Sequence, residues 1–225
     1  MIGTYETGKG GKSRPRSFWL LLLLEMSTII VAVMLGFWVN EWRENRQHQA
    51  QVEEAKYRVA SELNYNHPRM AMLYSYYDLI LRNIEARIAS DPDFNPMTSY
   101  GYHIEGFRGA MPPLLRSSTF HMLLNSGILA HFDVETADDI AFIYNMQRII
   151  ETLDQAILSS VSDDTGFTRI TTVRHTFGLF TELIPIVLAT YEVHGLRHFA
   201  AHGFRNEIEH ERLRKAIAFQ MTEFQ

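Results

Sequence analysis

From Phe18 to Val39 the chain reads FWLLLLLEMSTIIVAVMLGFWV, an apolar run carrying a single charge, Glu25. As a helix rising about 1.5 Å per residue it extends about 33 Å, enough to cross a bilayer core of about 30 Å. The pattern beyond it changes to amphipathic spacing. Val52, Ala55, Val59 and Leu63 recur every three or four residues, and nothing from Asn40 to Asn66 stops a helix, so the run is expected to continue outward without a break. Pro68 is expected to end or kink that helix. A second stripe follows in Met70, Leu73, Tyr74, Tyr77, Leu81, Ile84 and Ile88, and Asp91-Pro92-Asp93 closes it.

Residues 91–116 are rich in Gly, Pro and Tyr and predict a long loop, of the length that serves a function or a partner contact. Ser117 or Ser118 then caps a short helix with Phe120, Leu123 and Leu124 on one face, and Gly127 suits the position just past its end. Asp133 caps the next helix, whose stripe runs from Ile140 through Ile143, Met146, Ile150, Leu153 and Ile157 to Val161. A turn is expected at 162–166, a helix over 167–200 kinked by Pro185, and a last helix from Asn206 to Phe224. Phe177–Tyr191 is apolar but only fifteen residues long, with Glu182 and Pro185 inside, which favours a buried core helix over a second span. No strand pattern of any length and no internal repeat is present. The expected fold is all-α: a basic tail (1–17), a transmembrane helix (18–39), a stalk and kinked helix (40–90), the loop (91–116) and a helical bundle (117–225) packed with the stalk as one domain.

Charge orients the span. Lys9, Lys12, Arg14 and Arg16 precede it, against one acid, Glu6, whereas residues 40–46 balance two Arg with two Glu. The positive-inside rule then places the N-terminus in the cytoplasm and the following domain across the membrane, which in a bacterium means an inner-membrane span with a periplasmic domain. The run is too long for a signal-peptide core and no A-x-A site follows, so an uncleaved anchor is expected. Trp19, Trp38 and Trp42 stand near its ends, where aromatic side chains anchor a helix at the interfaces. The chain as a whole carries −5 despite the basic tail, so the outer domain is acidic, which argues against nucleic acid as a partner. The lipid bilayer is the partner the span and the basic tail select. The absence of cysteine removes disulfides, thiolate metal sites and cysteine nucleophiles.

Two blocks together resemble a known pattern. The first comprises Leu24-Glu25 in the span, Gly36, then Val39-Asn40-Glu41-Trp42-Arg43-Glu44-Asn45-Arg46, and Glu62-Leu63 with Asn66. The second comprises Ser118-Thr119-Phe120, Leu123-Leu124, Ser126-Gly127, Leu129, an acidic helix start and Tyr144. The chain resembles a family of bacterial single-span envelope proteins defined only as a domain of unknown function. The resemblance covers the span, the stalk and the middle of the chain. It implies an N-terminal anchor with a helical outer domain and implies no activity; residues 162–225 lie outside it.

Candidate chemistry is sparse. Glu25 is costly inside a bilayer, by about 2.5–3.5 kcal/mol at a helix centre, and such residues usually face protein. With the small residues Ser27, Ala32 and Gly36 it marks a contact with other membrane helices; snorkelling or protonation of Glu25 is the plainer alternative. His194, His198 and His202 recur at i, i+4, i+8, followed by Glu207 and His210. Two histidines at i, i+4 can share a zinc ion, but three cannot reach one metal, and the single Glu-x-x-His copy falls short of a di-iron bundle, so a solvated or interface face is favoured. Gly10-Gly11-Lys12-Ser13 lacks the earlier glycine of a phosphate loop, position 6 being Glu6. No G-x-S-x-G or H-E-x-x-H is present.

These observations point to a non-catalytic structural subunit of a larger membrane complex, with integral membrane subunits as partners and no cofactor. Photosynthetic and respiratory assemblies are the natural candidates. Two other readings compete: a membrane-anchored sensor or ligand-binding module in which loop 91–116 closes a pocket, and a metal-dependent enzyme built on the histidines of 194–210.

Overall fold

The computed structural model describes residues 16–109, 111–161, 169–205 and 211–223. The element order is α1 (Arg16–Ser90), a 3-10 turn (Gly101–His103), α2 (Ser118–Ser126), a second 3-10 turn (Ile128–His131), α3 (Val134–Val161), α4 (Ile170–Thr190), a π-helical segment (Tyr191–Gly195), α5 (Leu196–Phe199), a third 3-10 turn (Ala200–His202) and α6 (Glu211–Glu223). The described residues form no strand; Tyr100 and Arg169 meet in one isolated bridge, with the Ile170 N–H donating to the Ser99 carbonyl at 3.0 Å. The all-α expectation holds. Residues 1–15 of the basic tail, the 162–166 turn and the pair Glu207 and His210 lie outside the described residues.

The chain divides into two compact units, Met1–His48 and Gln49–Gln225. In the first, the apolar part of α1 is long and apolar enough to cross a membrane, and its large hydrophobic side chains from Trp19 to Val39 are 41–73% exposed. Ile170–His202 passes the same test of length and composition, but 56% of its apolar window is buried within its own unit. It is the core helix that the Phe177–Tyr191 stretch suggested.

The second unit is built on the remainder of α1. Val59, Leu63, Met70, Tyr77, Ile80 and Ile84 are fully buried along one face. Tyr77 stacks on Phe177 of α4 at 4.1 Å between ring centroids and meets Phe180 at 5.0 Å. Ile140, Ile143 and Ile150 of α3 close the same core, and Leu213 and Ile217 of α6 are buried against α4. Burying such side chains stabilises by about 1.5–3 kcal/mol each.

Two local expectations need correction, and a third gains a feature. Pro68 does not end the helix: α1 runs through it to Ser90, where Asp91-Pro92 stops it. Pro68 sits exposed, so its cost is one missing backbone hydrogen bond, and the buried residues on either side hold the two halves in one helix. The α2 N-terminus is not capped by Ser117, which makes no side-chain cap. The Glu62 carboxylate of α1 does this instead, accepting from the Thr119 N–H at 2.9 Å and the Ser118 hydroxyl at 3.1 Å. The helix expected over 167–200 carries Pro185 buried inside α4 and widens to a π turn at Tyr191–Gly195. Two caps stand as expected. Gly127 ends α2 with φ +72°, a backbone conformation that favours glycine. Asp133 accepts from the Thr136 N–H at 2.8 Å at the start of α3.

Candidate functional site

The span offers one polar position. Glu25 is exposed, and the neighbouring hydroxyls turn inward: Ser27 and Thr28 both donate to the Leu24 carbonyl at 2.8 Å. At about 100° per residue, Glu25, Ala32 and Gly36 fall within about 20° of one line along the helix, with Arg43 on the same line further out. Ser27 lies about 160° away from that line, so the small-residue face consists of Ala32 and Gly36 without it. A Cβ added at Gly36 meets nothing within 4 Å. Trp19, Trp38 and Trp42 are exposed, and the Arg46 guanidinium lies 4.2 Å from the Trp42 ring centre.

In the second unit the two blocks of the resemblance meet. Beside the Glu62 cap, Asn66 reaches the last residue of the loop: its Nδ2 donates to the Arg116 carbonyl at 2.7 Å and its Oδ1 accepts from the Arg116 N–H at 2.8 Å. Gln147 of α3 completes the clamp. Its Oε1 accepts from Asn66 Nδ2 at 2.9 Å and from the Tyr191 hydroxyl; its Nε2 donates to the Arg116 carbonyl at 2.9 Å and to Glu151 at 2.8 Å. Asn66, Gln147 and Tyr191 are buried with these partners made, the condition under which a polar core network specifies a structure. Burial pushes the Tyr191 hydroxyl well above its ordinary range. It does the same to Tyr144, where the facing Glu62 carboxylate adds to the effect. The guanidiniums of Arg69 and Arg116 lie 3.3 and 3.5 Å from the Tyr65 ring centre and brace the same corner. These groups hold α1, the loop end, α2, α3 and the π segment together.

The loop is likewise strapped down. The Tyr76 hydroxyl donates to the Gly109 carbonyl at 2.9 Å and accepts from the Arg108 N–H at 2.8 Å, the Tyr77 hydroxyl donates to the Met111 carbonyl, and Asn83 donates to the Glu105 carbonyl. Between this strap and α1 lies a pocket of about 230 Å³ lined by Arg69, Met72, Tyr76, Met111, Pro112 and Leu114. Ligand sites for drug-sized molecules span about 300–1,000 Å³, so this one suits only a small apolar group. Leu114 there has φ +46°, a strained conformation for a γ-branched side chain.

The histidine stripe separates. His202 leaves the others and meets Glu53 of α1 at 2.9 Å, a contact that with Lys56 holds the Glu53 carboxyl below its ordinary range. His194 and His198 both turn to Asp139 of α3: His194 Nδ1 lies 2.9 Å from Oδ1, and His198 Nε2 lies 2.7 Å from Oδ2. Burial pushes the Asp139 carboxyl up, but the hydrogen bonds from His194 and His198 outweigh it and hold the group low. Arg197 bridges Glu135 at 3.0 Å and Asp139 at 3.5 Å. His67 of α1 and Glu192 of the π segment form a further buried pair, 3.5 Å apart. The spacing of the histidines was visible in the sequence. Their carboxylate partners were not, although Glu135 and Asp139 at i, i+4 on a helix could have been matched to the histidine pair.

Comparison of the chain with protein-family models, with curated proteins and with solved structures returned no match.

Proposed function

We propose that the protein is a non-catalytic accessory subunit of a larger bacterial membrane complex. Its apolar helix sits in the inner membrane with the N-terminus cytoplasmic, and its helical domain lies on the periplasmic side. One observation carries the reading. The apolar part of α1 exposes its large side chains and bears one carboxylate, Glu25, in line with Ala32 and Gly36. Small residues let a neighbouring helix approach closely, and an intramembrane carboxylate is stable where a donor on that neighbour meets it. The polar clamp of Asn66, Gln147 and Glu62 supports a scaffolding role, because its groups are used up in holding elements together.

The test is recovery of the protein from its own membranes in mild detergent, with the co-purifying proteins counted by mass spectrometry. Integral membrane subunits at constant stoichiometry are expected, with the association weakened by Glu25→Leu. Recovery of the protein alone from membranes where it is abundant would sink the proposal. A ligand-binding module remains the second reading, favoured by the pocket beside Arg69 and the strained Leu114. Its size restricts any ligand there to a small one.

A further inference from the structure

We propose that His194 and His198, with Asp139 and Glu135, form a binding site for one divalent transition-metal ion, zinc being the best match. The site is independent of the subunit proposal, since it lies wholly within the second unit and uses no residue of the span. The ligands are two imidazoles at i, i+4 facing two carboxylates at i, i+4 on α3. The ligand atoms of Glu135, Asp139 and His198 lie within 4.8 Å of one another, and His194 Nδ1 is 2.9 Å from Asp139. Imidazole nitrogen with carboxylate oxygen suits zinc and its neighbours, whereas calcium and magnesium take oxygen alone.

The His198–Asp139 spacing is close to that of a filled site. A tetrahedral ion with bonds of about 2.0–2.1 Å separates its ligand atoms by about 3.3–3.4 Å. His198 Nε2 lies 2.7 Å from Asp139 Oδ2, so that pair needs part by only about 0.7 Å, while His194 Nδ1 faces the other carboxylate oxygen, Oδ1, at 2.9 Å. The ion then takes the place of the protons that contacts of this length between imidazole and carboxylate require.

A second, separate feature points the same way. His198 Nδ1 lies 3.1 Å from Thr136 Oγ1, and the Thr136 hydroxyl donates its own proton to Asp133 Oδ2 at 2.8 Å. Oγ1 can therefore only accept, which puts a proton on His198 Nδ1 and aims Nε2 at the carboxylates. Metal-binding histidines are held in this way, the remote ring N–H donated to a fixed oxygen so that the other nitrogen is presented to the ion. The fixed oxygen is here part of the capped first turn of α3. On the other side, Gly195 packs so closely on Phe204 that an added Cβ would lie 2.7 Å from its ring, which seats the segment between the two histidines. His194, His198 and Asp139 are 15%, 12% and 13% exposed, largely shielded from solvent. Arg197, half-exposed, holds the carboxylates as their resident cation and is free to swing into solvent when an ion replaces it. Glu135, Asp139 and His198 supply three ligands, and His194, beside Asp139, stands next to the fourth position, so the ion would staple α3 to Tyr191–Phe199.

The full chain, purified in detergent and stripped with a chelator, is titrated with Zn²⁺ by calorimetry and with Co²⁺ by visible absorption. One equivalent at micromolar affinity or tighter is expected, with the visible bands of four-coordinate cobalt. Glu135→Gln, on an exposed side chain that leaves folding intact, is expected to weaken binding about tenfold, and His198→Ala further. Thr136→Val should weaken it by about 10–100-fold through the histidine it orients. Arg197→Ala should tighten it, and Glu53→Gln, beside His202, should leave it unchanged. No binding at one equivalent, or equal affinity in the parent, Glu135→Gln and His198→Ala proteins, would overturn the proposal.

Discussion

Replacing Asn66 by Ala tests whether the buried clamp holds the second unit together. Asn66 makes three hydrogen bonds, two of them to the backbone of Arg116. The Arg116 carbonyl keeps Gln147, and Gln147 Oε1 keeps Tyr191, so those two losses each cost about 0.5–1.5 kcal/mol. The Arg116 N–H keeps nothing from this corner and is stranded at about 1–3 kcal/mol. The combined loss is about 2–6 kcal/mol, which for a unit of this size lowers the thermal midpoint by about 4–24 °C. Circular dichroism melts of the full chain in one detergent measure it. Asn66→Asp should be at least as damaging, because it turns a second oxygen toward the Arg116 carbonyl and Gln147 Oε1. Asn64→Ala on the same helix is the comparison. Asn64 bonds to the Gly203 carbonyl and the Arg205 N–H at an exposed site, so its loss should stay below about 1 kcal/mol. Equal melting of the Asn66→Ala and parent proteins would refute the reasoning.

Acid should destabilise the second unit. Asp139, Asp133 and Glu53 have carboxyls held below their ordinary values of 3.8, 3.8 and 4.5, so the stability they contribute is present above those values and lost as pH falls through the depressed ones. Asp139→Asn should flatten that acid limb in chemical denaturation at a series of pH values. Asp154 runs the other way. Burial raises its carboxyl, and its Oδ1 is buried without a hydrogen bond among the described residues, so it costs stability as pH rises above 3.8. Asp154→Asn should therefore be more stable than the parent at pH 7, and a less stable variant would contradict this. Gly195→Ala drives a methyl against Phe204 and should cost about 1–3 kcal/mol in the same melts, although its backbone conformation is open to any residue.

Periodic features were legible in the sequence and tertiary partners were not. The stripes from Val59 to Ile84 and from Ile140 to Ile150 became core faces because apolar spacing depends only on helix geometry. Asp133 and Gly127 were readable as caps because their partners are within the same turn. The α2 cap was misassigned to serine because its acceptor, Glu62, comes from 56 residues away. Pro68 carries a strong local signal to stop a helix, yet buried side chains on both sides of it override that signal. The histidine spacing was plain, but the split of His202 to Glu53 and of His194 and His198 to Asp139 follows from where α1 and α3 pack. Loop 91–116 read as a long loop serving a function or a partner contact. In the structure the hydroxyls of Tyr76 and Tyr77, one turn of α1, hold its backbone, a role that tyrosine content alone does not reveal.

The accessory-subunit account is tested most directly by purifying the protein from its native membranes in mild detergent and measuring the stoichiometry of what accompanies it. A fixed set of integral membrane subunits, depleted in the Glu25→Leu variant while the second unit melts unchanged, is the predicted result. The protein migrating alone, with Glu25→Leu indistinguishable from the parent, would contradict it.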